Sequence, residues 1–121
     1  MPEGQIVVEN GTKYFLVDNG LYYEKHQLIE TDSLDHFWNE IRKEEIKNGL
    51  TLVMHRIRCG NCGKEFIELY WYYDPWYREA RFCPYCKEFM TVNTLIKSIT
   101  INVRRETMKR LHGALVVTGV N

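Results

Sequence analysis

Two short cysteine motifs carry the strongest fold signal in this chain. Residues 59–63 read Cys-Gly-Asn-Cys-Gly, residues 83–86 read Cys-Pro-Tyr-Cys, and residues 63–82 separate the two cysteine pairs. A Cys-x-x-Cys turn brings two sulfur atoms close enough to share one tetrahedral ion at about 2.3 Å per bond. Two such turns at this kind of separation are typical of a zinc site. The sequence therefore predicts one zinc ion bound by Cys59, Cys62, Cys83 and Cys86.

Four thiolate ligands indicate the role of that zinc ion. A catalytic zinc keeps a coordination position open to water, whereas four thiolates close the shell. We therefore expect a structural ion. Gly60 and Gly63 allow the backbone to turn beneath the sulfurs, and Pro84 stiffens the second turn.

Three other uses of the four cysteines compete with zinc. Disulfides require an oxidising compartment, which nothing in the sequence suggests. A rubredoxin-type iron site uses the same ligands. A thiol-redox site is the more specific alternative, since Cys83-Pro84-Tyr85-Cys86 is similar to the active-site tetrapeptide of glutaredoxins. Such a motif normally opens a helix, whereas here it lies late in the chain with a second cysteine pair available.

The two cysteine pairs make the chain resemble the zinc-ribbon superfamily over residues 57–90. The resemblance implies metal binding and leaves function open, because zinc ribbons serve in transcription factors, ribosomal proteins, nucleic-acid enzymes and adaptors. We divide the single predicted domain into residues 1–56, a β-meander plus helix; 57–92, the zinc ribbon; and 93–121, a C-terminal helix and tail.

The N-terminal part has alternating β and helical patterns. Apolar runs separated by Asn10-Gly11 and by Asp18-Asn19-Gly20 predict an antiparallel meander over residues 5–30. Residues 33–48 have apolar side chains at helical spacing, a capping Asp32 or Ser33 and a stop at Asn48-Gly49, which predicts an amphipathic helix.

The C-terminal part is ambiguous. Ile96, Ile99 and Val103 share a helical face, yet residues 99–103 alternate as a strand does and are rich in β-branched side chains. We favour a helix over 94–112, followed by a short strand or apolar tail over 114–120. The predicted fold class is α+β: a small antiparallel β-sheet with one or two helices and a four-cysteine zinc-ribbon hairpin.

An aromatic cluster lies between the cysteine pairs, around a turn at Asp74-Pro75. A strand buries only alternate residues, so these side chains cannot all face one core. Exposed aromatic rings suit base stacking on single-stranded nucleic acid or a protein-binding hot spot. The alternative is packing on the N-terminal sheet. The candidate contact residues are Tyr70, Trp71, Tyr73, Trp76, Tyr77 and Arg78.

Basic residues form a second candidate surface near the C-terminus. On a helix, Arg105 and Lys109 are neighbours one turn apart, and Arg104 and Arg110 lie on either side of them. We interpret these four residues as a phosphate-contacting patch, and the alternative is the solvated face of an amphipathic helix.

Composition limits the possible functions. The formal net charge is zero, which argues against strong nonspecific attraction to a polyanion. Neither a secretory signal nor a membrane span is visible, so we expect a cytoplasmic protein. The four His residues are scattered in sequence and no nucleophile motif is present, so we do not expect an enzyme.

The leading prediction is a small zinc-ribbon protein that contacts nucleic acid or a nucleoprotein complex through the aromatic hairpin and the basic segment. One alternative is a protein-interaction adaptor or inhibitor of viral or mobile-element origin, with a homodimer as a variant. The second alternative is the thiol-redox protein.

Overall fold

A computed structural model describes residues 4–18 and 20–120 of the chain. Seven strands form one mixed sheet in the order β1-β2-β3-β7-β5-β4-β6, and two short helices accompany it. The elements are β1 (Gly4–Glu9), β2 (Thr12–Asp18), β3 (Tyr23–Glu30), α1 (Leu34–Arg42), β4 (Leu50–Arg58), β5 (Glu65–Trp71), β6 (Thr94–Val103), α2 (Arg105–Leu111) and β7 (Ala114–Val117).

The predicted N-terminal meander is confirmed as the antiparallel strands β1, β2 and β3. Asn10 and Gly11 both have positive φ, 50° and 80°, as a tight hairpin turn requires. In the second turn the Gly20 N–H donates to the Asp18 carboxylate at 2.8 Å. Asn19, which we included in that turn, lies outside the described residues.

Helix α1 begins where the sequence predicted and ends earlier. Ser33 is the N-cap, and its hydroxyl accepts a hydrogen bond from the His36 N–H at 3.2 Å. The predicted extension to residue 48 is wrong, because the last regular residue is Arg42. The Ile46 N–H instead donates to the Asn102 carbonyl of β6 at 2.8 Å, which draws this segment onto the sheet.

The prediction of a helix over 94–112 is wrong for residues 94–103, which form the edge strand β6 paired with β4. The helical part is limited to α2. Alternating β-branched residues explain the outcome: Ile101 and Val103 are buried against the helices while Thr100 is exposed. The strand-like alternation of side chains, and not the helical spacing of Ile96, Ile99 and Val103, therefore predicts the observed structure of this segment.

The predicted small antiparallel sheet is also corrected: the sheet has seven strands and is mixed. Strand β7 enters its middle, parallel to β3 and antiparallel to β5. All four β7 residues are buried, since both faces of this strand are covered. The C-terminal segment is thus a central strand that joins the N-terminal meander to the rest of the sheet.

Each face of the sheet has its own core. On one face, α1 and α2 pack through Trp38, Ile41 and Leu111 onto the central strands. On the other face, the segment that follows β5 runs back across the sheet and buries Ala80 and Phe82 against β2, β3 and β7. This return segment, residues 79–92, does not pair with β5, whose neighbours are β4 and β7. The hairpin we expected between the two cysteine pairs is therefore absent from the described part of the chain.

Candidate metal centre and aromatic loop

The first cysteine turn joins β4 to β5. The Cys59 N–H donates to the Lys64 carbonyl at 2.9 Å, and the Gly63 N–H donates to the Cys59 carbonyl at 3.0 Å. Gly63 has φ +78°, a conformation that glycine adopts at little cost. Gly60 is needed for a different reason, because a Cβ there would collide with the Val92 carbonyl.

The second cysteine turn repeats the first in its backbone. The Cys83 N–H donates to the Glu88 carbonyl at 3.1 Å, and the Lys87 N–H donates to the Cys83 carbonyl at 2.8 Å. Lys87 occupies the position equivalent to Gly63 and has φ +64°. The two turns thus present their sulfurs in the same local geometry.

The four sulfur atoms converge on one point. All lie within 4.8 Å of one another, with Cys59 Sγ 3.9 Å from Cys86 Sγ and Cys62 Sγ 3.6 Å from Cys83 Sγ. A tetrahedral ion with bonds of about 2.3 Å places its sulfur ligands about 3.8 Å apart. The cluster could therefore hold one metal ion. Within residues 4–18 and 20–120 it is the only group of three or more Cys, His, Asp or Glu that meets this condition.

Backbone N–H groups point at the sulfurs and would stabilise them as thiolates. Cys59 Sγ accepts from the Asn61 and Cys62 N–H groups at 3.3 and 3.4 Å, and Cys83 Sγ accepts from the Tyr85 N–H at 3.4 Å. Cys59 and Cys83 are buried, whereas Cys62 is exposed at the protein surface.

The surroundings of Cys83 differ from those of a redox thiol. Its side chain is fully buried, and burial raises the pKa of the Cys83 thiol. The residues that follow it form a turn instead of a helix. A reactive thiolate needs partial exposure and a lowered pKa. Cys83 has neither feature, which disfavours it as the attacking thiol of a redox site.

Tyr85 links the second cysteine turn to the sheet through hydrogen bonds. We did not identify it as a site residue from the sequence. Its hydroxyl donates to the Glu65 carbonyl at 2.7 Å and accepts from the Thr118 N–H at 3.0 Å. It therefore links the four-cysteine cluster to the start of β5 and the end of β7. Only the tertiary structure reveals this contact, since Thr118 is 33 residues away in sequence.

At the other end of β5, residues 72–78 form the aromatic loop. The turn we predicted at Asp74-Pro75 is confirmed: the Asp74 N–H donates to the Trp71 carbonyl at 2.9 Å, and the Asp74 carboxylate accepts from the Trp76 N–H at 2.9 Å. The His112 ring accepts a hydrogen bond from the Trp71 N–H at 2.9 Å, so α2 supports the base of the loop.

Of the five predicted aromatic contact residues, Trp71 is partly buried and packs against the core beneath the helices, and the other four form two groups. Tyr70 and Tyr77 stack on each other, with ring centroids 3.4 Å apart, and are half-buried. Tyr73 and Trp76 are 65% and 82% exposed. Tyr72, which we did not include, is 57% exposed. The aromatic loop thus combines an internal stacked pair with an exposed surface.

A buried acid lies beneath the stacked tyrosines. Glu68 is 3% exposed, and its carboxylate accepts a hydrogen bond from the Tyr77 hydroxyl at 2.7 Å. Burial raises the pKa of Glu68 to about 7. The ring nitrogens of His55 lie 3.3 Å from the Tyr70 and Tyr77 hydroxyl oxygens, and burial lowers the pKa of His55. His55 therefore belongs to this network and not to the four-cysteine cluster.

The predicted basic residues lie on or next to α2, and all four are exposed: Arg104, Arg105, Lys109 and Arg110. Arg110 is 3.4 Å from the Glu44 carboxylate, which offsets part of its charge. Arg78, the remaining predicted contact residue, is exposed in the aromatic loop.

The metal centre and the aromatic loop lie at opposite ends of the sheet. Cys59 follows the end of β4, whereas the aromatic loop begins beside the start of β4, where the Tyr72 N–H donates to the Thr51 carbonyl at 2.9 Å. Nine residues of β4 separate the two ends, which is roughly 25–30 Å at about 3.3 Å per residue. A metal ion at the cysteines would not contact anything bound at the aromatic loop.

No family model, curated protein or solved structure matches this chain. Neither helix in the described part of the chain has the length and apolar character needed to cross a bilayer.

Proposed function

We propose that the protein is a small zinc-binding protein that contacts nucleic acid, with the zinc ion serving the fold and the aromatic loop serving the contact. The observation that supports zinc is the convergence of four cysteine sulfur atoms, all within 4.8 Å of one another. Cys59, Cys62, Cys83 and Cys86 would hold the ion. When bound, zinc supplies a rigid link between chain segments and no open position for substrate.

Such a link would have a clear structural effect in this fold. The first cysteine turn belongs to the sheet, and the second belongs to the return segment 79–92. That segment covers one face of the sheet through Ala80 and Phe82. A shared ion would hold the return segment in place and keep this second core closed to water.

The metal can be identified directly. Purified protein is analysed by inductively coupled plasma mass spectrometry, and we expect one zinc per chain. Iron at the same stoichiometry would support the rubredoxin-type alternative. Cysteines that are metal-free and rapidly alkylated in the purified protein would support the thiol-redox alternative instead.

The nucleic-acid contact is supported by the surface that the aromatic loop shares with the start of α2. Tyr72 continues β5 opposite Thr51, Thr51 pairs with Asn102, and Arg104 follows two residues later. At strand spacings of about 4.8 Å, the Tyr72 and Arg104 backbones are roughly 10–15 Å apart. Exposed rings for base stacking and cationic groups for phosphates therefore lie at the same end of the sheet.

The proposal assigns different roles to the aromatic residues. Tyr72, Tyr73 and Trp76 would stack on bases, since their rings are largely exposed. Tyr70 and Tyr77 would position the loop, because their rings stack on each other and their hydroxyls are engaged by His55 and Glu68. Base contact through the stacked pair would require the loop to open.

Fluorescence anisotropy tests the contact. Zinc-loaded protein is titrated into labelled single-stranded DNA, duplex DNA and RNA at low and physiological salt. We expect single strands to bind most tightly, with an affinity that falls as salt rises. Trp76→Ala is expected to weaken binding about tenfold, in line with a stacking contribution of about 1–3 kcal/mol per base.

Matched variants separate a specific contact from general charge attraction. Arg105→Ala is expected to weaken binding and reduce the salt dependence, whereas Arg42→Ala, an exposed arginine in α1, is expected to change little. No binding at low salt would refute the proposal. The protein-interaction alternative would then lead, because exposed aromatic rings also suit a protein-binding hot spot.

A further inference from the structure

A second site lies beneath the aromatic loop, away from the cysteines. A cleft of about 260 Å³ opens between β3, β5, the aromatic loop and the turn from α2 to β7. Three carboxylates line it, from Glu24, Glu68 and Asp74. These residues are far apart in sequence, and three of the four histidines lie in or beside the same cleft.

Glu68 has a carboxylate oxygen available to the cleft. The Tyr77 hydroxyl donates to Oε1, and no group in the described part of the chain donates to Oε2. No side-chain oxygen that is sealed from solvent lacks a partner among the described residues. Because Oε2 has no such partner, it is not sealed from solvent, and the cleft that Glu68 lines is where solvent meets it.

This buried carboxylate has no cationic partner within the described residues. His55 Nδ1 is 4.0 Å from Oε1, and burial lowers the pKa of His55, which disfavours its charged form. His26 also lines the cleft, and its charge opposes the rise in the Glu68 pKa. Lys25 lines the cleft, but its ammonium group is 2.6 Å from the Glu9 carboxylate and lies over the Tyr14 ring. An unpaired buried charge is costly, and the cost is relieved either by protonation of the carboxylate or by a bound cation. Above pH 7, where Glu68 is mostly ionised, a bound cation takes that role.

The other two acids add negative charge that is only partly compensated. Asp74 Oδ2 is 3.5 Å from His112 Nε2. Because His112 Nδ1 accepts the Trp71 N–H, a neutral His112 carries its proton on Nε2 and leaves the Asp74 charge in place. Glu24 Oε2 is 3.4 Å from His26 Nε2.

Aromatic rings form the remaining wall of the cleft. Trp76 is 82% exposed and lines the opening, next to the stacked Tyr70 and Tyr77. Aromatic faces attract cations, and Trp does so more strongly than Tyr or Phe. Acceptors, negative charge and aromatic faces together select a ligand that is positively charged and rich in N–H donors.

We propose that this cleft binds a small organic cation bearing a guanidinium or primary ammonium group, with Glu68 Oε2 accepting its hydrogen bonds and Trp76 covering it. The exposed side chain of Arg78 lines the rim and competes with the ligand as the chain's own guanidinium. The site shares Trp76 with the proposed nucleic-acid surface. The carboxylates that line the cleft bind cations and do not contribute to binding a polyanion.

The test uses two probes of matched shape. Zinc-loaded full-length protein labelled with ¹⁵N is titrated with n-butylguanidinium or with its neutral counterpart, n-butylurea. We expect the Trp76 indole N–H and the Glu68 amide resonances to shift saturably with n-butylguanidinium, with a Kd of about 5 mM or tighter for a ligand of this size. n-Butylurea is expected to bind at least tenfold more weakly.

Three variants locate the contact. Glu68→Gln keeps the side-chain volume and an oxygen for Tyr77, and is expected to weaken binding of n-butylguanidinium at least tenfold. Glu45→Gln removes an exposed acid that does not line the cleft, and is expected to change the Kd less than twofold. Arg78→Ala is expected to tighten binding, since it removes the competing cation.

Absence of saturable shifts with n-butylguanidinium in the wild-type protein would overturn the proposal, as would equal binding of n-butylurea or unchanged binding by Glu68→Gln. The spectrum of each variant also reports whether it is folded. A capped Gly-Arg-Gly peptide distinguishes two sources of the cation. Tighter binding of the peptide than of n-butylguanidinium supports the arginine side chain of a partner, and weaker binding supports a free small molecule.

Discussion

Replacing Glu68 with glutamine removes a buried negative charge and little else. The two side chains have nearly the same size, and the glutamine oxygen can still accept the Tyr77 hydroxyl, which lies 2.7 Å from Glu68 Oε1. Glutamine also resembles the protonated form of glutamate. The substitution therefore measures the free energy of ionising Glu68 inside the fold.

The expected effect depends on pH. Burial raises the pKa of Glu68 from 4.5 to about 7. Between these values the folded protein binds a proton that the unfolded chain has released, so folding stability falls as pH rises through this window and becomes level above it. Each pKa unit corresponds to about 1.4 kcal/mol, so the full cost at pH 8 is about 3 kcal/mol.

Glu68→Gln should therefore be nearly neutral at pH 5 and stabilising at pH 8. Most of the free-energy cost of ionising Glu68 arises between these two pH values. The stability difference between variant and wild type should therefore grow by about 2–3 kcal/mol, or about 10 °C in Tm for a chain of this size. Thermal unfolding of the zinc-loaded wild type and variant, followed by circular dichroism from pH 5 to 8, measures it. Metal loss at acidic pH affects both proteins, so only their difference is interpreted.

A matched control and a refuting outcome follow from the same reasoning. Glu45→Gln replaces an exposed acid and should give a pH-independent difference near zero. A Glu68→Gln difference that does not change between pH 5 and 8 would refute the assignment of a raised pKa to Glu68. A difference that changes with the opposite sign would show that the fold favours the ionised carboxylate.

Three further predictions concern the metal centre. Cys62→Ser should lose the metal and lower the Tm by about 10 °C or more, measured by metal analysis and thermal unfolding; full metal retention would contradict the four-cysteine site. Gly60→Ala should destabilise the fold by about 2 kcal/mol or more in urea unfolding, because the new methyl group meets the Val92 carbonyl, and an unchanged midpoint would contradict that contact. Lys87→Gly should stabilise the fold by about 0.5 kcal/mol, since Lys87 has φ +64°, and a lower stability in the same assay would show that its side chain matters more than backbone strain.

Local patterns were sufficient for the elements whose signal lies within a few residues. The meander was predicted from Asn10-Gly11 and its flanking apolar runs, and the start of α1 from the cap candidates Asp32 and Ser33, of which Ser33 is the cap. Each Cys-x-x-Cys turn is a local structure that its motif predicts, whereas the meeting of the two pairs depends on the return segment 79–92. Where two periods competed, over residues 94–103, sequence spacing alone favoured the wrong one.

The cleft could not be predicted in the same way. Glu24, Glu68 and Asp74 belong to different elements, and each looks like an ordinary surface acid in sequence. Burial of Glu68 requires β5 to be covered by the aromatic loop, and His112 reaches the loop only because α2 ends beside Trp71. Such contacts depend on packing and leave no periodic signal.

The sequence by itself determined the two cysteine turns, the meander, the helix cap and the presence of an aromatic turn, because short-range geometry and turn chemistry specify them. The tertiary structure decided the rest: the insertion of β7 at the centre of a mixed sheet, the return of residues 79–92 over one face, and the assembly of the acidic cleft. These features depend on strand pairing and packing between segments far apart in sequence. Each segment packs where it covers apolar surface that would otherwise face water.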